Sequence, residues 1–241
     1  MKFLEKIRNF LFQQRTIPSE KNGLMVIGRS IHGMWGIEYR NEYQSSGDYV
    51  EKMWRGALQA IEFEKRAYTN ILVLGSGAGC VIHCMQNMLG AQRKNTHIIG
   101  IDWDTVMLQM GTAVYGENFL HKRNLKNLMR FVSDNTKNLV ASENITLICT
   151  DAAEYVRQTE DSFDLIIVDI FHDTRPAPCM VEGAFRDTLA TRLSPDGSIL
   201  LNCWRSQDEL RGIWNKRFII RKEIRSHWNN LLYMKPYYAT H

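Results

Sequence analysis

The chain has 241 residues, 44% hydrophobic and 23% charged, an ordinary globular composition that suits one large α/β core and leaves little room for two full domains. Its formal net charge of +4, from 30 basic and 26 acidic residues, is too mild to demand a nucleic-acid partner. No stretch approaches the ~18 consecutive apolar residues of a membrane span, and the five cysteines (Cys80, Cys84, Cys149, Cys179, Cys203) form no CxxC pair, so a reduced, cytoplasmic chain without a membrane partner is expected.

The opening MKFLEKIRNFLFQQR is too charged for a signal peptide and reads as a short amphipathic helix with Phe3, Leu4, Ile7, Phe10 and Leu11 on one face. Asn22-Gly23 then opens two apolar runs divided by Arg29-Ser30 and a His-Gly turn, the pattern of a β-hairpin or small antiparallel sheet. Helix and hairpin make a first unit over residues 1–47; the rest, 48–241, reads as one larger domain. Asp48, with Glu51 three residues on, predicts a helix start, and Val50, Met53, Trp54, Ala57, Leu58 and Ile61 follow at helical spacing.

From residue 71 strands and helices alternate. The runs 71–74, 97–101, 145–149, 165–168 and 198–201 are continuously apolar rather than alternating, which means burial on both faces and a mostly parallel sheet covered by helices. Helices are predicted at 79–89, 104–115, 152–158 and 181–193, a turn at Pro195-Asp196-Gly197, and a last strand pair around 218–220 and 231–234.

Four segments carry chemistry. In ILVLGSGAGC a strand runs into Gly75, Ser76, Gly77 and Gly79 and then a helix; glycines let a ligand approach the backbone, and a helix N-terminus favours anionic groups. The spacing departs from the dinucleotide fingerprint, which argues against hydride transfer. In GIDWD, Asp102 ends the second strand beside Trp103 and is placed to accept bonds from ribose hydroxyls, while Asp104 suits a helix cap. In ICTDAAEYV, Asp151 and Ala152 stand where the third strand meets a helix; Asp151 can accept a bond from an adenine amino group and cap the helix at once. In FDLIIVDIFHD, Asp169 ends the fourth strand at the crevice where open α/β sheets bind ligands, and a proline-bearing loop with His172 and Asp173 follows.

The order of these segments, with the hairpin and Gln44 ahead of them, resembles the spermidine synthase family across nearly the whole chain. The resemblance implies a seven-stranded, Rossmann-like methyltransferase sheet and a homodimer. It implies S-adenosylmethionine or its decarboxylated form as donor, no metal, and a small-molecule amine as acceptor. It places Gln44, Gly75, Gly77, Asp102, Asp151 and Ala152 around the nucleoside and Asp169 against the amine, with His172 and Asp173 as further catalytic candidates. Two positions depart from the pattern: Ala78 stands where the family usually carries an Asp in the glycine turn, and His172 where it usually carries a second Asp. A carboxylate in the turn attracts the ammonium of the decarboxylated donor and repels the carboxylate of the intact one, so alanine leans the expectation toward methyl transfer over aminopropyl transfer. The competing reading is a non-catalytic nucleoside- or RNA-binding accessory protein, motivated by the basic clusters Lys122, Arg123, Lys126, Arg130 and Arg211, Lys216, Arg217, Arg221, Lys222, Arg225.

Overall fold

The computed structural model describes residues 15–29, 35–39, 42–46, 49–115, 139–172, 175–204, 206–226 and 229–237. The expected N-terminal helix, the Asp48 cap, the basic cluster at 122–130 and Asp173 lie outside these residues.

The chain begins with a four-stranded antiparallel meander of β1 (Arg15–Ser19), β2 (Gly23–Arg29), β3 (Trp35–Tyr39) and β4 (Glu42–Ser46), in that order across the sheet. The two apolar runs read as a hairpin are β2 and β3; the structure adds a strand on each side. Helix α1 (Tyr49–Ala60) follows and buries Val50, Met53, Trp54, Ala57 and Leu58, the face expected from its spacing. Then come β5 (Asn70–Leu74), α2 (Cys80–Leu89), β6 (His97–Asp102), α3 (Thr105–Tyr115), β7 (Leu139–Ser142), β8 (Ile145–Cys149), α4 (Ala152–Gln158) and β9 (Phe163–Val168). A two-residue ladder of β10 (Phe171–His172) and β11 (Arg175–Pro176) leads to α5 (Gly183–Thr191), β12 (Leu193–Asn202), α6 (Gln207–Trp214), β13 (Phe218–Ser226) and β14 (Asn229–Pro236). No described helix is long and apolar enough to cross a membrane.

The main sheet runs β13-β14-β12-β9-β5-β6-β8-β7. Its five central strands, β12 to β8, are parallel, and β14 and β13 complete the expected seven as an antiparallel pair at one edge. The short β7 adds an eighth strand antiparallel to β8. Alternate residues of one strand feed opposite cores. Ile71 and Val73 of β5 pack on the side of α1 and α2, whereas Leu72 and Leu74 pack with α4, α5 and α6. Burial on both faces is why these strands read as unbroken apolar runs. The turn expected at Pro195–Gly197 appears inside β12 as a bulge: Leu193 pairs with Phe163 and Ser198 with Leu165, so the extra residues loop out without breaking the strand.

Parallel strands bring their carboxyl ends to one edge. Gly75, Asp102, Thr150, Asp169 and Asn202 therefore meet there, and the chain's return from β8 to β9, on the other side of β5, opens a crevice between them.

Candidate active site

The crevice is a cavity of about 700 Å³. On one side the glycine turn leaves β5 with positive φ at Gly75 (78°), Gly77 (51°) and Gly79 (81°), a course that side chains resist. Gly75 has a second reason to be glycine: a Cβ there would lie 2.1 Å from the carbonyl oxygen of Asp169. The turn and the end of β9 are thus in backbone contact. Gly75 N–H and Ser76 N–H both donate to Ile101 O at 2.9 Å, which sews the turn to β6.

Asp102 holds this arrangement from the next strand. One carboxylate oxygen accepts from Gly77 N–H at 2.8 Å and the other from Asp104 N–H at 2.9 Å. Burial pushes its pKa up to about 6, with those two N–H groups pulling the other way. Asp104 is the helix cap, accepting from Val106 N–H at 2.9 Å, and it also accepts from Ser19 Oγ and Asn22 Nδ2 of the β1–β2 turn. Asp104 thus takes the cap role expected of it, while both Asp102 oxygens accept from backbone N–H groups. Asp151 caps α4 through Glu154 N–H at 2.9 Å and lines the cavity together with Ala152.

Trp103 lines the cavity and is stacked on His172, ring centroids 4.3 Å apart, with the Lys21 ammonium 5.6 Å from the indole centroid. Cys179, from the turn after β11, also faces the cavity; burial first, then the Asp151 and Glu182 carboxylates, push its thiol up to about 11, so it stays protonated and a poor nucleophile.

Asp169 is half-buried at the cavity wall. Its N–H donates to Leu74 O at 2.8 Å, and its carboxylate accepts from Asn202 Nδ2 at 2.8 Å. Burial raises its pKa to about 7, the Asn202 amide opposes the rise, and the Asp102 charge adds to it. Behind Asn202 a polar chain continues. Asn202 Oδ1 accepts from Asn229 Nδ2 at 3.5 Å and Asn229 Oδ1 from the Tyr49 hydroxyl at 3.0 Å, joining β9, β12, β14 and α1.

The structure therefore gathers Gly75, Gly77, Asp102, Trp103, Asp151, Ala152, Asp169 and His172 around one cavity. Ser76 and Gly79 belong to the turn but do not line it. Ser76 is buried, with no partner for its hydroxyl among the described residues, and Gly79 begins α2. Ala78, only 1% exposed, does not line it either. Gln44 lies in β4 with its side chain outside the described residues, as is the whole of Asp173. Asn202, Asn229, Tyr49 and Trp204 were not anticipated. Asn202 obeys the rule that picked out Asp102 and Asp169, a polar residue ending a buried parallel strand, and was legible on that ground. The Tyr49–Asn229 bond spans 180 residues and leaves no local signal.

The family model described as the spermine/spermidine synthase domain matches residues 60–238. A spermidine synthase of Dictyostelium discoideum is 32% identical over 72 residues, 29% of this chain and 25% of that protein, so the match spans a quarter of the relative's length. Spermidine synthase from Thermotoga maritima has the same fold, with a TM-score of 0.59 at 14% identity over 92% of this chain and 72% of that one. Human methyltransferase-like protein 13, solved in complex with SAH, is similar at a TM-score of 0.51 and 17% identity, over 80% of this chain and 86% of that one. With the match running from the end of α1 to the end of β14 and taking in every parallel strand, the chain belongs to the spermine/spermidine synthase domain family.

Proposed function

We propose that the chain is a transferase that binds a sulfonium nucleoside, S-adenosylmethionine or its decarboxylated form, and passes one of its carbon groups to an amine. The observation that carries this reading is the backbone contact between Gly75 and Asp169, which sets a nucleoside-type turn directly beside a carboxylate of raised pKa. Asp102 would hold the ribose, Asp151 and Ala152 the adenine end, and Trp103 the adjoining wall.

The donor already carries its leaving group, so little acid–base machinery is needed. The amine nitrogen attacks the carbon next to sulfur, the C–S bond breaks with its electron pair, and a neutral thioether nucleoside leaves. Positioning supplies most of the acceleration. The amine arrives as an ammonium ion and must lose a proton first. A carboxylate with a pKa of about 7 is matched to that task near neutral pH, and Asp169 takes the proton.

Between the two donors, the cavity favours the decarboxylated one and hence aminopropyl transfer. Among its described lining residues the charged groups are Asp102, Asp151 and Asp169, with no Lys or Arg to pair with an amino-acid carboxylate. The lean toward methyl transfer drawn from Ala78 loses weight because that side chain is buried away from the cavity. Calorimetry with S-adenosylmethionine, decarboxylated S-adenosylmethionine and methylthioadenosine decides the matter. The decarboxylated donor should bind most tightly. Tighter binding of the intact donor would return the reading to methyl transfer, and binding of none of the three would remove the nucleoside site.

A further inference from the structure

The nucleoside end of the cavity has a wall that the parallel sheet does not supply. Glu20, Lys21 and Asn22 join β1 to β2, and the turn they make is held in one shape from within. Ser19 Oγ accepts from Lys21 N–H at 3.1 Å and from Asn22 N–H at 3.0 Å, and Gly23 closes the turn at φ of 71°. A serine hydroxyl that takes the N–H groups two and three residues on is a local device for fixing such a turn. From outside, the turn is fastened at two consecutive positions of the β6–α3 corner. Ser19 Oγ and Asn22 Nδ2 both donate to Asp104 Oδ2, and the Lys21 ammonium stands over the Trp103 indole. Ser19 and Asp104 are buried, whereas Asn22 is half-buried and lines the cavity beside Asp102 and Trp103. A carboxylate only accepts, so chemistry alone requires that Asn22 face Asp104 with its nitrogen. The same amide still has an oxygen to accept with and a second N–H to donate.

We propose that Asn22 is a ligand-binding residue of the nucleoside site and shares the ribose diol with Asp102, one hydroxyl to each, so that the turn between β1 and β2 makes the site specific for ribonucleosides. The inference rests on the nucleoside reading above and adds to it a residue that lies ahead of the stretch 60–238 matched by the family model. A hydroxyl taken out of water needs an acceptor for its proton and gains from a donor to its oxygen. Asp102 accepts only, and each of its oxygens already receives a backbone N–H, at 2.8 Å from Gly77 and 2.9 Å from Asp104. One lone pair on each oxygen is left for the ribose. The second hydroxyl is better served by an amide, which accepts and donates at once. A deoxy sugar then leaves one of these two partners facing a carbon, and a site built to bond a hydroxyl discriminates against the analogue that lacks it.

The test is calorimetric titration of the full chain with adenosine, 2′-deoxyadenosine and 3′-deoxyadenosine. In the wild type each deoxynucleoside should bind about tenfold or more weakly than adenosine. Asn22→Ala should weaken adenosine by about fivefold or more, yet leave one of the two deoxynucleosides, the one lacking the hydroxyl that Asn22 holds, within about twofold of its wild-type affinity. Equal weakening of all three ligands in Asn22→Ala would mean that the side chain acts only by steadying Asp104, and overturns the proposal. A deoxynucleoside that binds the wild type as tightly as adenosine overturns it without recourse to any variant. Adenosine binding without the hydroxyl pattern removes the Asn22 assignment and leaves the nucleoside site standing. Absence of adenosine binding to the wild type removes the nucleoside reading itself, and the proposal with it.

Discussion

Asp169 stands where two demands on a carboxylate oppose each other. Burial favours the neutral form, while the Asn202 amide, aimed at one oxygen, favours the charged one. Because the folded pKa of about 7 lies above the ordinary 3.8, the group's contribution to stability is fully present below the ordinary pKa and is lost as pH rises through about 7. Asp169→Asn removes that loss. It should unfold at higher urea concentration than wild type, by a margin that grows between pH 5 and pH 8 to about 2–4 kcal/mol. The same variant should bind methylthioadenosine normally and turn over roughly 10²–10⁴-fold more slowly, the span of general acid–base help. Wild-type turnover in a folded Asp169→Asn would make the residue structural. Asn202→Ala deletes the donor that favours the charged form, so the acid limb of the kcat/KM profile should move up by about one pH unit. A purely structural Asn202 would lower activity at every pH and leave the limb in place. At the other end of the cavity, Asp102→Ala should weaken nucleoside binding by about 1.5–3 kcal/mol, the worth of a hydrogen bond to a charged group. Unchanged affinity in a folded variant would end the ribose assignment.

At the scale of elements, the glycine turn gives a graded test. Gly75→Ala meets both a positive φ and the Asp169 carbonyl, so the turn or β9 must move; the variant should lose more than about 3 kcal/mol of stability, together with nucleoside binding. Gly77→Ala has the same φ problem, but its Cβ would find only the Met107 methyl at 3.5 Å, an ordinary contact. It should lose about 1–2 kcal/mol. Equal losses in chemical denaturation would mean that the Gly75–Asp169 contact is not tight. The elements around this turn were largely legible in the sequence, and the reason is burial. A parallel strand covered on both faces must be apolar throughout, so 71–74 and 165–168 announced themselves, and the glycine that ends the first run and the aspartate that ends the second marked the crevice. What stayed hidden was non-local or unpatterned. The flanking strands β1 and β4 owe their existence to pairing with β2 and β3. The bulge at 195–197 reads locally as a turn because proline and glycine have the same signature in both. The inward or outward aim of position 78 depends on how α3 packs over the turn, which no spacing reveals.

Across the whole molecule, the charge distribution bears on the competing RNA reading. Three of the six cations in the run 211–225 that suggested it have partners of their own: Arg211 pairs with Glu223 at 3.0 Å, Arg217 with Asp187 at 3.1 Å, and Lys222 Nζ donates to Ala60 O at 2.7 Å. Committed cations release few counterions. Retention of RNA on filters should therefore be weak, with a log–log salt slope shallower than about −2; a slope steeper than about −4 would revive the accessory reading.

The contact between Asp104 and the β1–β2 turn has a thermodynamic corollary. Asn22 lines the cavity, bonds to Asp104, and Asp104 N–H in turn bonds the carboxylate that reaches Gly77. The meander is thus tethered through the atoms that shape the nucleoside end. Whatever nucleoside binding contributes to ordering those atoms, tethering must return to nucleoside binding in equal measure, because coupling between two equilibria is reciprocal. A saturating nucleoside should slow amide exchange in β1 and β2, strands that carry no proposed ligand contact beyond the turn between them. Asp104→Ala should weaken nucleoside affinity and erase that protection together.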